Sequence, residues 1–185
     1  MKLLTQFESQ GNIELLSQKI IAVFSSKETP KEIYPFAEKL FSKLMEKNIS
    51  IAGGWQAPLE KKMVEKTNNK MQANIIFYTA KDLSQLKISQ KLHTLDDENK
   101  LLLISAQSRQ KRAAKSDIDK RDNLLFKQVS QVLFLYVSSG GRLEEYFNTL
   151  HLASFPLLVL QHPLNEHLLL SGCPAINEDN VDELI

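Results

Sequence analysis

The sequence is poor in the residues that staple small folds or hold metals. It has one cysteine, Cys173, so an internal disulfide and any multi-cysteine metal site are excluded. Cys173 stands between Gly172 and Pro174 with no candidate base beside it in sequence, which suits a structural role. The four histidines, His93, His151, His162 and His167, show no metal-ligand spacing, and His162 and His167 are five apart, off a common helical face. Neither a metal nor a cofactor is expected. No sign of charge is in excess: Lys plus Arg is 23 against 22 for Asp plus Glu, so a nucleic-acid function would have to rest on local clusters. No apolar run approaches membrane-spanning length, and residues 1–8 lack a signal-length apolar core. A cytoplasmic protein without membrane association is the expectation. There is no fixed-period repeat, no low-complexity segment and no dividing linker.

What is present is enough for one sizeable core: 185 residues, 43% hydrophobic and 24% charged. Residues 1–17 read as a short arm with a turn capped by Asn12, and residues 18–185 as one domain. Apolar runs at 19–24, 49–52, 73–78, 101–104, 132–137 and 155–160 read as six strands, the first continuous enough to be buried on both faces. Between them, apolar residues recur at spacings of three and four. Ile33, Phe36, Ala37, Leu40, Phe41, Leu44 and Met45 form the strongest such stripe. A second helix opens at Pro58, a short one is expected near 84–92, another from about 118, and another carries Leu143, Tyr146, Phe147 and Leu150. Residues 106–120 read as a loop. This alternation predicts an α/β fold: a Rossmann-like open, mostly parallel sheet with helices on both faces.

In such a sheet the loops at the carboxyl ends of the strands lie on one edge. Four are rich in small residues: Ser25-Ser26-Lys27, Gly53-Gly54-Trp55-Gln56, Ser105-Ala106-Gln107 and Ser138-Ser139-Gly140-Gly141. Hydroxyls and helix N-termini supply donors, and glycine lets a ligand approach the backbone. Taken together, Ser25, Ser26, Lys27, Gly53, Gly54, Trp55, Gly140 and Gly141 are the candidate phosphate or nucleotide site. Taken singly, each glycine pair is explained as well by a tight strand-to-helix turn.

Residues 109–121 hold six basic residues against two acidic ones. Arg109, Lys111, Arg112 and Arg121 are therefore the candidate nucleic-acid contacts, with a solvated loop as the competing explanation. Stacking would have to come from Trp55 or Tyr136. Glu144 and Glu145 follow Gly141 closely; they are candidate acid–base groups, and equally ordinary first-turn carboxylates.

The chain from about 19 to 176 resembles the Rossmann-type core of the DprA/Smf DNA-processing proteins, within the superfamily that includes the LOG, or lysine-decarboxylase-like, proteins. Ser25-Ser26-Lys27 stands where that family has a Gly-Ser-Arg type motif, and Gly53-Gly54 matches its glycine-rich second strand end. Trp55-Gln56-Ala57-Pro58-Leu59-Glu60 is similar to the short stand-alone members, and Arg121-Asp122 stands in place of an Arg-Asn pair. Gln161 to Asn165 and Leu169 to Gly172 resemble the final strand and helix start. The resemblance implies single-stranded DNA binding, or a nucleotide-like ligand at the same edge, a homodimer, a link to DNA recombination, and binding rather than catalysis. The alternative is a LOG-like nucleoside 5'-monophosphate phosphoribohydrolase using Glu144, Glu145 and Arg121, or a non-catalytic nucleotide sensor. Ser139-Gly140-Gly141-Arg142-Leu143-Glu144-Glu145 resembles the LOG glycine motif but lacks its Gly-Thr pair.

Overall fold

A computed structural model describes residues 7–68, 70–106 and 114–185. Among these, eight strands form one sheet: β1 Glu8–Gly11, β2 Ile20–Ser25, β3 Ser50–Gly53, β4 Asn74–Thr79, β5 Leu101–Ser105, β6 Gln131–Tyr136, β7 Leu157–Leu160 and β8 Ala175–Ile176. The order across the sheet is β1-β5-β4-β3-β2-β6-β7-β8, and every pairing is parallel except β1 with β5. The helices are α1 Tyr34–Met45, α2 Pro58–Val64, α3 Gln90–Asp97, α4 Lys115–Gln128, α5 Arg142–Leu152, α6 Glu166–Leu169 and α7 Val181–Leu184.

The alternation within β2 explains the layering. Ile21 and Val23 point to one face, where they meet α1 (Ala37, Leu40, Phe41, Leu44), α2 (Leu59, Met63), α3 (Leu92, Leu95) and Val181 of α7. Ile20, Ala22 and Phe24 point to the other, against Leu124 and Leu125 of α4, Phe147 of α5 and Leu168 of α6. Both faces are covered, so β2 reads as an unbroken apolar run. Each fully buried aliphatic side chain contributes roughly 1.5–3 kcal/mol before entropy is counted.

Several elements differ from expectation for identifiable reasons. Within the expected arm, Glu8–Gly11 pairs as β1 antiparallel with β5, and Asn12 then caps a 3-10 turn by accepting from the Glu14 N–H. The helix expected near 84–92 begins later, at Gln90 after Ser89, because Leu92 and Leu95 are the residues it buries. α4 starts at Lys115, within the stretch expected to be a loop, because Asp117 accepts from the Ala114 N–H and caps it. Phe36, expected to face inward, is exposed and packs edge-on against His162. Cys173 does have a nearby base: its sulfur lies 3.5 Å from His151 Nδ1.

From β2 the chain runs outward through β3, β4 and β5, then returns to β6 on the other side of β2. Successive connections therefore diverge at the carboxyl ends of β2 and β6. That switch point is where open α/β sheets leave a crevice for a ligand.

Candidate functional site

The loop after β2 is tied down by its own hydroxyls. Thr29 Oγ1 donates to the Ser26 carbonyl at 2.5 Å, so the Ser25 hydroxyl, also 2.5 Å from Thr29 Oγ1, is the donor in that pair. Ser26 reaches across to β6: its N–H donates to the Tyr136 carbonyl at 2.9 Å, and its Oγ accepts from the Ser138 N–H at 2.8 Å. The two strand-end loops are thus locked side by side, and the Ser26 hydroxyl proton has no acceptor among the described residues.

After β6 the chain turns through Ser138–Gly141. Gly140 takes φ +73°, a conformation that favours glycine, and Glu144 Oε2 accepts from its N–H at 2.7 Å. α5 then begins at Arg142, so its N-terminal end opens on the crevice. A cation at that position opposes the helix dipole. It is offset by Asp122, whose Oδ2 lies 3.5 Å from Arg142 Nη2, by Asp119 at 3.9 Å and by the Tyr146 ring beneath it.

The second arginine comes from α4. Arg121 is only 7% exposed, and its Nε and Nη2 both reach Asp122 Oδ1, at 2.7 and 2.6 Å. Asp122 is 1% exposed, and its Oδ2 has no hydrogen-bond partner, only the longer approach of Arg142. One buried carboxylate therefore sits between two guanidinium groups. Arg121 Nη1 carries no hydrogen bond among the described residues and lies against Gly54, where a β-carbon would stand 2.8 Å from it.

Ser25, Ser26, Gly54, Arg121, Gly141 and Arg142 line a cleft of about 450 Å³ with Phe24, Lys27, Glu28, Gln56, Ala57, Glu60, Ser138 and Leu143. Glu60 is its buried acid, 5% exposed. Its Oε1 accepts from the Ser25 N–H at 2.9 Å, and its Oε2 from the Gln56 and Ala57 N–H groups at 2.9 and 3.3 Å. Burial pushes the carboxyl up from 4.5 to about 7, against the opposing pull of those N–H groups and of Arg121.

Of the residues singled out from sequence, Ser25, Ser26, Lys27, Gly54, Gly141 and Arg121 come together in this cleft. Trp55 does not: it is 1% exposed, packs edge-on against Phe41, and donates from Nε1 to the Ile76 carbonyl at 3.2 Å. Gly53 lies behind it, where a β-carbon would meet the indole at 3.1 Å. Gly140 shapes the turn without lining the cleft, Glu144 is committed to Gly140, and Glu145 is exposed. Tyr136 is half-buried against the core. Arg109, Lys111 and Arg112 lie outside the described residues. Arg142 and Glu60 were not among the sequence candidates. A signal for Glu60 exists: Pro at the first helical position with Glu two residues on is a helix-start pattern whose carboxylate turns back to the preceding N–H groups.

No protein-family model matches this chain, and no curated protein sequence does. Solved structures do match. DNA processing protein A (DprA) from Streptococcus pneumoniae aligns with a TM-score of 0.77 and 15% identity, over 97% of this chain and 66% of that one. The Helicobacter pylori DprA, described for its unique single-stranded DNA binding mode, gives 0.74 and 17%, over 94% of this chain and 83% of that one. The molybdenum cofactor carrier protein from Chlamydomonas reinhardtii gives 0.58 and 14%, over 90% of this chain and 98% of that one. This chain therefore has the Rossmann-like fold seen in the DprA structures, and it spans about two thirds of the length of the S. pneumoniae protein.

Proposed function

We propose that the cleft binds phosphate groups of single-stranded DNA or of a nucleotide-like ligand. The observation that carries this is that Arg121, Arg142 and Lys27 line one cleft at the switch point of the sheet, onto which the N-terminal end of α5 opens. Arg142 contributes planar donors with the reach to grip a phosphate, and Ser26 and Ser138 line the same cleft. Supporting this is the fold shared with DprA, including a protein whose structure is described for single-stranded DNA binding. Arg109, Lys111 and Arg112 extend the proposal as additional phosphate contacts close in sequence to α4. A cytoplasmic location and a homodimer are part of the same proposal, carried over from the family resemblance.

The phosphoribohydrolase alternative needs a free carboxylate beside the sugar of a bound nucleotide. Glu144 is turned back to the Gly140 N–H, and Glu145 is exposed outside the cleft lining, so neither carboxylate named for that alternative stands in the cleft, and binding is the reading we favour. The experiment is anisotropy of a labelled single-stranded oligonucleotide, competed with duplex DNA and with AMP. Binding displaced by AMP places the phosphate site in a mononucleotide-sized cleft. Binding lost when Arg109, Lys111 and Arg112 are all changed to Ala, with no effect of AMP, would move the site to the basic segment. No binding of either ligand would overturn the proposal.

A further inference from the structure

Glu60 is the buried carboxylate in the wall of a cleft that also presents Lys27, Arg121 and Arg142. A carboxylate has about four lone-pair sites. Three are taken here: one on Oε1 by the Ser25 N–H and two on Oε2 by the Gln56 and Ala57 N–H groups. The free site is on Oε1, so a proton can be added without breaking any of these bonds. The bonds themselves join the end of β2 to the start of α2, and protonation leaves that join intact.

An ionised Glu60 opposes an anion at Arg121, because the two like charges would lie in one cleft and the Glu60 carboxylate is itself buried. Burial already holds the carboxyl at about 7, so little free energy is needed to neutralise it. The other charged groups facing it are Lys27 and Glu28 after β2, Arg121 and its partner Asp122 on α4, and Arg142 on α5. No histidine lines the cleft among the described residues.

We infer that anion binding in this cleft is proton-coupled: Glu60 takes up one proton from solvent as the anion enters, so the bound state pairs a neutral carboxylic acid with the anion. This rests on the phosphate-binding role proposed above and adds its regulation. An anion raises the pKa of Glu60, so affinity is greatest when the carboxyl is already protonated. It falls as pH rises from the free-state value toward the bound-state one, by at most about tenfold per pH unit.

Sulfate is the probe, because its charge does not change over this range as that of phosphate does. Binding is measured by calorimetry at mildly alkaline pH in two buffers of different ionisation enthalpy, and across a pH series, for the natural protein and Glu60→Gln. The expected result is net proton uptake and falling affinity with rising pH for the natural protein, and neither for Glu60→Gln. Sulfate binding with no proton uptake and a flat pH series overturns proton coupling and leaves the anion cleft standing. Uptake that persists in Glu60→Gln overturns the assignment to Glu60. No sulfate binding at any pH overturns the anion cleft itself, and the inference with it. If Glu60→Gln fails to fold, infrared difference spectroscopy of the natural protein decides: added sulfate should raise the band of a buried protonated carboxyl group, and proton uptake without that band overturns the assignment to Glu60.

Discussion

The guanidinium of Arg121 rests against the α-carbon of Gly54, so closely that a β-carbon at position 54 would stand 2.8 Å from Nη1 and 2.9 Å from Cζ. The glycine is there to admit an arginine. Arg121 is anchored by Asp122 and cannot retreat freely, so Gly54→Ala must displace the guanidinium or the loop. We expect a stability cost of about 1–3 kcal/mol, as for overpacking elsewhere. Anion affinity should drop about tenfold or more with the loss of a charged hydrogen bond. Thermal unfolding and sulfate titration of the variant check both; an unchanged affinity would place the ligand away from Arg121.

Glu60 also makes stability depend on pH. Its pKa is raised in the folded state, from 4.5 to about 7. The folded protein then binds more protons than the unfolded chain between those values. The stabilisation is fully present below the lower value and is lost as pH rises through the upper one. The melting temperature should therefore be higher near pH 6 than near pH 8. Each tenfold gain in proton affinity on folding is worth about 1.4 kcal/mol. Glu60→Gln should flatten the difference between the two pH values in a thermal melt series.

Trp55 is the one tryptophan and is buried under α1. Its emission should be blue-shifted and resistant to iodide, and should change cooperatively on denaturation. Adding an oligonucleotide should leave it nearly unchanged, because the ring is not a stacking platform. Strong quenching by an oligonucleotide at concentrations that keep the protein folded would contradict this placement.

Glu144→Ala should lose the bond to the Gly140 N–H and cost about 1 kcal/mol, as a lost helix-start hydrogen bond does. Glu145→Ala should be close to neutral. Neither should alter base release from AMP, which we expect to be absent in the natural protein by chromatography.

Most of the fold was legible because β2, β4 and β5 are apolar enough to be buried on both faces and the α1 stripe is long. β1 and β8 were not legible. Glu8–Gly11 is a polar edge strand, and Ala175–Ile176 is two residues long, so neither carries a hydrophobic period. The lining of the cleft was legible where chemistry and topology coincide, at Ser25, Ser26, Lys27, Gly54, Gly141 and Arg121. Trp55 was misplaced because an indole in a glycine-rich loop looks solvent-facing. A positive φ of 52° at Trp55 instead folds its ring under Gly53 and into the core. Arg142 and Glu60 were missed because each also looks like an ordinary helix-start residue, and only the packing of α4 against α5 and of α2 against β2 gives them a common cleft.

Arg121, Arg142 and Lys27 are proposed to hold the phosphate of single-stranded DNA or of a nucleotide-like ligand at the switch point. Arg142→Ala is the test, because that side chain lines the cleft and is partly exposed; a thermal melt runs beside it, since the change also removes the guanidinium next to the buried Asp122 Oδ2. The measurement is the slope of log affinity against log salt for a single-stranded oligonucleotide, by anisotropy. Losing one phosphate contact should weaken binding and reduce the slope by about 0.7. A variant with the natural affinity and the natural slope would contradict the claim.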